Sequence, residues 1–125
     1  MKQQINTAAA PAAIGPYSQA IEANGIVFVS GQLPIDPATG AFAEGGIKEL
    51  TRQSLTNMKA ILAEAGMTYD NVVKTTVLLA DIADFKAVNE VYAEYFTGDK
   101  PARACYQAAA LPLGVKVEIE AIAVK

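Results

Sequence analysis

Arg103, Cys105 and Glu118 are the residues of this chain whose types and spacing could do chemistry. Arg103 and Cys105 share one face of a predicted strand, and Glu118 lies in the next predicted strand. A guanidinium can bind a carboxylate through two parallel hydrogen bonds, and a glutamate can hold and deprotonate a water. The chain has no histidine, which removes the commonest general base, the commonest metal ligand and the middle member of a Ser-His-Asp triad. Chemistry here must therefore depend on a carboxylate, an arginine, backbone groups and water.

The geometry of these residues depends on how the last two strands pair. If they form a hairpin, Cys105 lies opposite Glu118. Arg103 then lies opposite Glu120, so that a guanidinium and a carboxylate line one concave patch. A slip of one residue would reverse the faces, and such a pair is also typical of a structural cross-strand ion pair. The arginine would lower the pKa of Glu118 and burial would raise it, and the sequence leaves both outcomes open.

Composition and charge limit the class of protein. The 125 residues predict a single domain, 1–125, and 52% apolar with 18% charged residues is typical of a globular chain. The net charge of −3 argues against a nucleic-acid surface, which normally needs a basic face. A lone cysteine cannot form an intramolecular disulfide, and neither a secretory signal nor a membrane span is recognisable. The predicted location is cytoplasmic.

Apolar periodicity and turn signals predict seven main elements. Asn24-Gly25 between apolar runs is typical of a hairpin turn, and Gly66 and Gly98 are typical helix stops. Asp81 or Asp84 could cap the second helix. The predicted elements are strands 17–22 and 26–30, a helix over 47–65, a strand over 72–80, a helix ending near 97, and strands 102–108 and 115–124. A further short strand before the first helix is also considered.

These elements predict an α+β fold in which two helices pack on one face of a mixed β-sheet. Alternation along the last strand places Val117, Ile119 and Ala121 on one side. Glu118, Glu120, Ile122 and Val124 lie on the other side, which is therefore partly apolar. A chain of this size would bury such a second face by forming an oligomer, with pockets at the subunit boundaries.

Several motifs along nearly the whole chain resemble the RidA (YjgF/YER/UK) family. They occur in the family's order, and their agreement is far more specific than any single pattern. The motifs are Gly15–Ala20, Ser30–Gln32, Lys74–Val77, Asp84-Phe85 with Val88-Asn89, Pro101–Cys105 and Val117–Val124.

The resemblance implies a fold like Bacillus chorismate mutase, assembled as a homotrimer with ligand sites in inter-subunit clefts. It also implies the hydrolysis of reactive 2-enamine and 2-imine acids, such as 2-aminoacrylate, to 2-keto acids and ammonia. This is the activity of a 2-iminobutanoate/2-iminopropanoate deaminase, which protects pyridoxal-phosphate enzymes. Neither a cofactor nor a metal is implied.

The resemblance also implies roles for individual residues. Arg103 would bind the substrate carboxylate, and Glu118 would position and activate the attacking water. Alternation alone leaves Glu120 as a competitor for that second role, and the family match favours Glu118. A protonated imine is already electrophilic, so orientation and a modest base suffice without a covalent intermediate.

Four further residues are implied to contact the substrate, and each also has a structural interpretation. The backbone around Cys105 and Gly31 would contact substrate, while Tyr17 and Asn89 would line the cleft. On the residues alone, Cys105 is favoured as a small packing residue, because no base lies nearby to lower its pKa. Gly31 could simply permit a close approach at a strand end, Tyr17 could pack, and Asn89 could face solvent.

One departure and two alternative functions remain. The stretch 106–110, Tyr-Gln-Ala-Ala-Ala, differs from many relatives and leaves the preferred substrate side chain open, because Gln107 shares the face of Arg103. A non-catalytic binder of small carboxylate metabolites could use the same cleft. A ribonuclease or translation inhibitor, as ascribed to some relatives, is disfavoured by the acidic charge and the missing histidine.

Overall fold

The computed structural model describes residues 1–125 and shows two helices on one face of a six-stranded mixed sheet. The sheet order is β1-β2-β3-β6-β4-β5, in which β4 and β5 run parallel and the other neighbours run antiparallel. The predicted α+β class with a one-sided helical layer is confirmed. The elements are β1 Gln3–Ile5, β2 Ala20–Ala23, β3 Ile26–Gln32, α1 Ile47–Glu64, β4 Val72–Leu79, α2 Phe85–Tyr95, β5 Ala102–Gln107 and β6 Val117–Val124.

The turn between β2 and β3 is the predicted Asn-Gly hairpin turn. Asn24 and Gly25 have φ values of 52° and 77°, the left-handed conformation that two-residue hairpin turns require. The short strand β1, beside β2, was not predicted. In place of a further strand before α1 there is only an isolated bridge between Ile35 and Phe42.

The helices begin and end close to the predicted positions. α1 runs to Glu64, and Gly66 follows with a φ of 73°, as expected of a glycine that ends a helix. Of the two candidate caps before α2, Asp81 accepts a hydrogen bond from the Ala83 amide and caps a 3-10 turn that leads into the helix. Asp84 makes no capping hydrogen bond. Neither α1 nor α2 is long and apolar enough to cross a membrane.

The predicted hairpin of the last two strands is wrong. β5 lies at the edge of the sheet beside β4, whereas β6 lies in the centre between β3 and β4. The expected cross-strand pairs, Cys105 with Glu118 and Arg103 with Glu120, therefore do not exist. Two physical reasons explain this arrangement. β4, α2 and β5 form a β-α-β unit whose strands run parallel, and the apolar side of β6 is best buried at the centre of the sheet under α1.

The strand register places Arg103 and Glu118 on opposite faces of the sheet. Arg103 lies beside Thr75, which is fully buried beneath the helices. Glu118 lies beside Leu78, whose side chain points to the face that no helix covers. This uncovered side is called the open face below. It carries the exposed aromatic rings of Phe28 and Tyr106, so the predicted partly apolar second face is confirmed.

Candidate active site

On the open face, Glu118 lies in a cleft of about 470 Å³ between the end of β3, the N-terminal segment and the loop before β6. This region is called the glutamate cleft. It brings together three of the predicted site residues, Tyr17, Gly31 and Glu118, together with Glu120. The full lining is Ile14, Tyr17, Ser30, Gly31, Leu33, Pro112, Glu118 and Glu120.

A β-bulge shapes the floor of the glutamate cleft. The register of β3 against β6 shifts between Val29 and Gln32, so that Ser30 and Gly31 together oppose a single residue of β6. A Cβ atom on Gly31 would overlap the Glu118 carboxylate and would lie 2.7 Å from its Cδ atom. Glycine is needed here because the carboxylate of Glu118 rests directly against the backbone.

The N-terminal wall of the cleft is held in place by Gln19, whose side chain is buried. Its amide nitrogen donates hydrogen bonds to the carbonyl oxygens of Thr7 (3.0 Å) and Pro11 (2.8 Å), and its amide oxygen accepts one from the Thr7 N–H (2.7 Å). Tyr17 is 46% exposed, and its hydroxyl accepts a hydrogen bond of 3.3 Å from the Ile14 N–H. The alanine-rich segment before Tyr17 is thus tied to the sheet without forming a strand.

Burial raises the pKa of Glu118, and the nearby charge of Glu120 raises it further. Arg103 does not contribute, since it lies on the other face. None of the three ion pairs in the chain involves Glu118 or Arg103. Of the two effects that the sequence left open, burial therefore dominates, and Glu118 holds its proton to a higher pH than an ordinary glutamate.

On the helix-covered face, Arg103 is held by three side chains of α2. Its Nη1 atom donates a hydrogen bond of 2.8 Å to Oδ1 of Asn89. The guanidinium carbon lies 4.8 Å from the ring centre of Tyr92 and 5.5 Å from that of Phe85. These four residues are called the arginine half-site. Stacking and a single hydrogen bond fix the plane of the guanidinium and leave most of its N–H donors free for a ligand.

Cys105 lies on the same face of β5 as Arg103 and packs against the hydrophobic core. Burial raises the pKa of its thiol, and the neighbouring charge of Arg103 only partly opposes this. A thiol of this kind is a poor nucleophile, in agreement with the packing role favoured from the residues. Gln107, next on that face, accepts a hydrogen bond from the Ile82 N–H, which ties it to the turn before α2.

The six predicted site residues therefore fall into two groups of three. Tyr17, Gly31 and Glu118 lie at the glutamate cleft, whereas Asn89, Arg103 and Cys105 lie on the helix-covered face. Within one chain the structure does not bring the arginine to the glutamate.

Sequence reasoning missed the aromatic support of Arg103 and the role of Asn89 in holding it. A signal for both was present in the spacing along α2. Phe85, Asn89 and Tyr92 follow the i, i+4, i+7 pattern that places side chains on one helical face. The spacing therefore placed Asn89 on one face with two aromatic rings, and the structure shows that Arg103 lies against that face.

Comparisons with known proteins agree with the motifs. A model of the endoribonuclease L-PSP family matches residues 7–125. A Capra hircus protein named 2-iminobutanoate/2-iminopropanoate deaminase is 58% identical over 125 residues, which are 100% of this chain and 91% of that protein. An Arabidopsis thaliana protein named Reactive Intermediate Deaminase A, chloroplastic, is 56% identical over 122 residues, which are 98% of this chain and 65% of that protein.

Solved structures agree in fold as well. The crystal structure of TdcF from E. coli with bound serine has a TM-score of 0.94 and 44% identity, with 98% of each chain covered. The prediction from the motifs is confirmed: the chain belongs to the endoribonuclease L-PSP family, which is the RidA (YjgF/YER/UK) family.

Proposed function

We propose that this chain is a 2-iminobutanoate/2-iminopropanoate deaminase, which hydrolyses 2-imino and 2-enamino acids such as 2-aminoacrylate to 2-keto acids and ammonia. By removing these reactive acids it would protect pyridoxal-phosphate enzymes. The names of the goat and plant relatives support this proposal, because their identity extends over nearly the whole chain. A cytoplasmic location stays a prediction from the sequence.

One structural observation carries the proposal. The chain has a preorganised guanidinium on one face of its sheet and a desolvated carboxylate on the other, and neither has an opposite charge beside it. A substrate with a carboxylate at one end and an electrophilic carbon beside it needs both groups at once. Two copies of the chain can supply both groups together. Arg103 lies on β5, which is free at the edge of the sheet, and the partly apolar open face beside Glu118 can be covered by a second copy.

The proposed assembly is a homotrimer with three equivalent clefts. In each cleft, Arg103 of one copy faces Glu118 of the neighbouring copy. The aromatic and aliphatic side chains of the open face would be buried against neighbouring copies, which supplies the apolar area that stable oligomers need.

The reaction then uses groups of this chain and one water. Arg103 binds the substrate carboxylate through paired N–H donors, with the guanidinium plane fixed by Asn89 and Tyr92. Glu118 accepts a proton from the water while the oxygen of that water forms a bond to the imine carbon. Glu118 then returns this proton to the nitrogen of the resulting aminoalcohol. As the C–N bond breaks, the hydroxyl group loses its proton to the departing ammonia, which gives the keto acid and an ammonium ion and leaves Glu118 deprotonated. Burial raises the pKa of Glu118, which makes its carboxylate a stronger base than that of an ordinary glutamate.

The test is the release of keto acid from 2-aminoacrylate generated by a pyridoxal-phosphate dehydratase acting on serine. We expect wild type to exceed spontaneous hydrolysis. Arg103→Ala should lower kcat/KM by about 10- to 100-fold, because the substrate carboxylate loses a charge-assisted hydrogen bond. Glu118→Ala should lower kcat by about 100-fold or more, as expected for loss of a general base.

Two outcomes would change this proposal, one in the function and one in the identity of the base. Binding of keto acids through Arg103 without any turnover would indicate a non-catalytic carboxylate binder. Full activity in a folded Glu118→Ala variant would move the role of base to Glu120, which lines the same cleft. The eight residues that line the glutamate cleft include neither lysine nor arginine, so the cleft itself gives no support to a ribonuclease.

A further inference from the structure

A second cavity of about 650 Å³ adjoins the glutamate cleft, and we propose that it binds the apolar side chain of the substrate. The inference rests on the proposed function and adds the class of 2-imino acid that this chain prefers. The cavity lies between the N-terminal segment, the loop after β3 and the turn before β6. Its lining includes Ala10, Ile14, Ile35, Pro37 and Leu113, and none of the lining residues carries a charge.

The cavity and the glutamate cleft lie next to each other and share part of their lining. Ile14 lines both of them. Pro112 lines the cleft while Leu113, the next residue of the same turn, lines the cavity. The cavity therefore lies beside Glu118, and in the proposed complex the side chain on the imine carbon extends past Ile14 and Leu113 into it.

Leu113 is held in an unusual conformation that turns its side chain outward. Its φ and ψ are 57° and 15°, in the left-handed region that leucine rarely adopts, and its side chain is 61% exposed. Such backbone strain in an ordered turn is a feature of ligand-binding positions. Ile14, which also lines the cavity, is 63% exposed, and its N–H donates a hydrogen bond to the Tyr17 hydroxyl. Two large and mostly exposed aliphatic side chains thus line the cavity.

The chemistry of the substrate indicates what occupies this space. With the carboxylate bound by Arg103 and the imine carbon beside Glu118, the side chain on that carbon is the part left without contacts. A cavity without charged residues favours an apolar side chain and disfavours a charged one, because a charge buried there would lack a partner. The volume admits a branched aliphatic or aromatic group, whereas 2-aminoacrylate would leave the cavity unfilled. The preferred substrates are therefore 2-imino acids with bulky apolar side chains.

Binding of the 2-keto acid products tests this inference independently of turnover. Calorimetry would compare pyruvate with 4-methyl-2-oxopentanoate, the keto acid of leucine, on wild type and Leu113→Asn. Asparagine tolerates the left-handed conformation better than leucine does, so this variant should fold. We expect wild type to bind the larger keto acid more tightly. Leu113→Asn should lose about tenfold in affinity for the larger acid and keep its affinity for pyruvate within about twofold.

Three further measurements complete the test. Ile14→Ser should repeat the selective loss, and Val73→Thr, an exposed strand position that lines neither cavity, should not. Equal loss for both keto acids in Leu113→Asn, or no loss for either, would overturn the inference. A change in oligomer mass on Leu113→Asn would also overturn it, since the cavity would then be covered by a second copy. Selective binding without turnover of any imine would retain the side-chain site and reject the deaminase proposal.

Discussion

The arginine half-site and the glutamate cleft belong to the same sheet but are built in different ways. Arg103 is supported on several sides by two aromatic rings and an amide oxygen, all from α2. Glu118 rests on a stretch of bare backbone at Gly31, and its only charged neighbour in the cleft is another carboxylate, Glu120. The cation is held in a defined plane, whereas the anion is partly stripped of water and left without a counter-charge.

Separating the two groups keeps both of them available. If Arg103 and Glu118 lay on one face of a hairpin, as the sequence first indicated, the arginine would lower the pKa of Glu118, and contact between the two groups would occupy guanidinium donors. On opposite faces neither group neutralises the other. A substrate bound between two copies of the chain would then meet an open arginine and a carboxylate that is ready to accept a proton.

The sharpest way to disturb the glutamate cleft is to add one methyl group to its floor. Gly31→Ala should push the carboxylate of Glu118 away from the backbone, because the new Cβ would overlap it. A displacement of about 1 Å at a reacting group can cost about 100-fold in rate, so we expect kcat/KM for 2-aminoacrylate to fall by that amount.

Gly98→Ala is the matched control for that variant. A Cβ on Gly98 would meet no atom closer than 4.0 Å, and the position lies outside both half-sites. Its activity should equal that of wild type. Full activity in Gly31→Ala would show that the contact between Gly31 and Glu118 does not set the position of the base.

Mixing two inactive variants tests whether the half-sites act across copies. Arg103→Ala and Glu118→Ala, unfolded and refolded together in equal amounts, should regain about a quarter of wild-type activity, because a mixed trimer joins one intact arginine to one intact glutamate. Steady-state rates of the mixture and of each variant refolded alone would measure this. If both groups acted within one chain, the mixture would be no more active than its parents.

Asn89 supports the guanidinium from one side only, so its loss should have a smaller effect. Asn89→Ala removes the 2.8 Å hydrogen bond to Arg103 and should lower kcat/KM about tenfold, mostly through a higher KM. Asn89→Asp keeps the acceptor but adds a negative charge, which would compete with the substrate carboxylate. We expect it to bind keto acids more weakly than Asn89→Ala in calorimetry. The reverse order would show that the acceptor retained for Arg103 outweighs the repulsion from the added charge.

Local features of the fold were predictable from the sequence because each depends on neighbouring residues. The Asn24-Gly25 turn, the stop of α1 at Gly66 and the alternation along β6 all follow from backbone preference or from period-two patterning. The pairing of β5 and β6 was not predictable in this way. It depends on which strand pairs in parallel with β4 after α2 and on which strand lies in the centre of the sheet. Both are set by packing between residues far apart in the sequence.

The same distinction explains the outcome at the candidate site. Residue types and motifs identified Arg103, Glu118, Tyr17 and Gly31 as residues of interest, and the structure gives each a defined place. The order of the strands places Arg103 on the helix-covered face and Glu118 on the open face. The assumed hairpin of β5 and β6 had placed both residues on one face. The direction of the pKa change at Glu118 was open for the same reason, since it depends on whether an arginine lies beside it.

The smallest expected effect separates the two causes that raise the pKa of Glu118. Only the deprotonated carboxylate can accept a proton from water, so kcat/KM should rise as the pH rises through the pKa of Glu118. Burial is the larger cause and Glu120 the smaller one. Glu120→Gln removes the second cause, so the acid limb of the pH profile should move to lower pH while the plateau is retained. Glu64→Gln, at the end of α1, should leave the profile in place. If the acid limb of the Glu120→Gln profile did not move, burial would be the sole cause of the raised pKa of Glu118. If the plateau of kcat/KM fell, Glu120 would take part in the reaction itself.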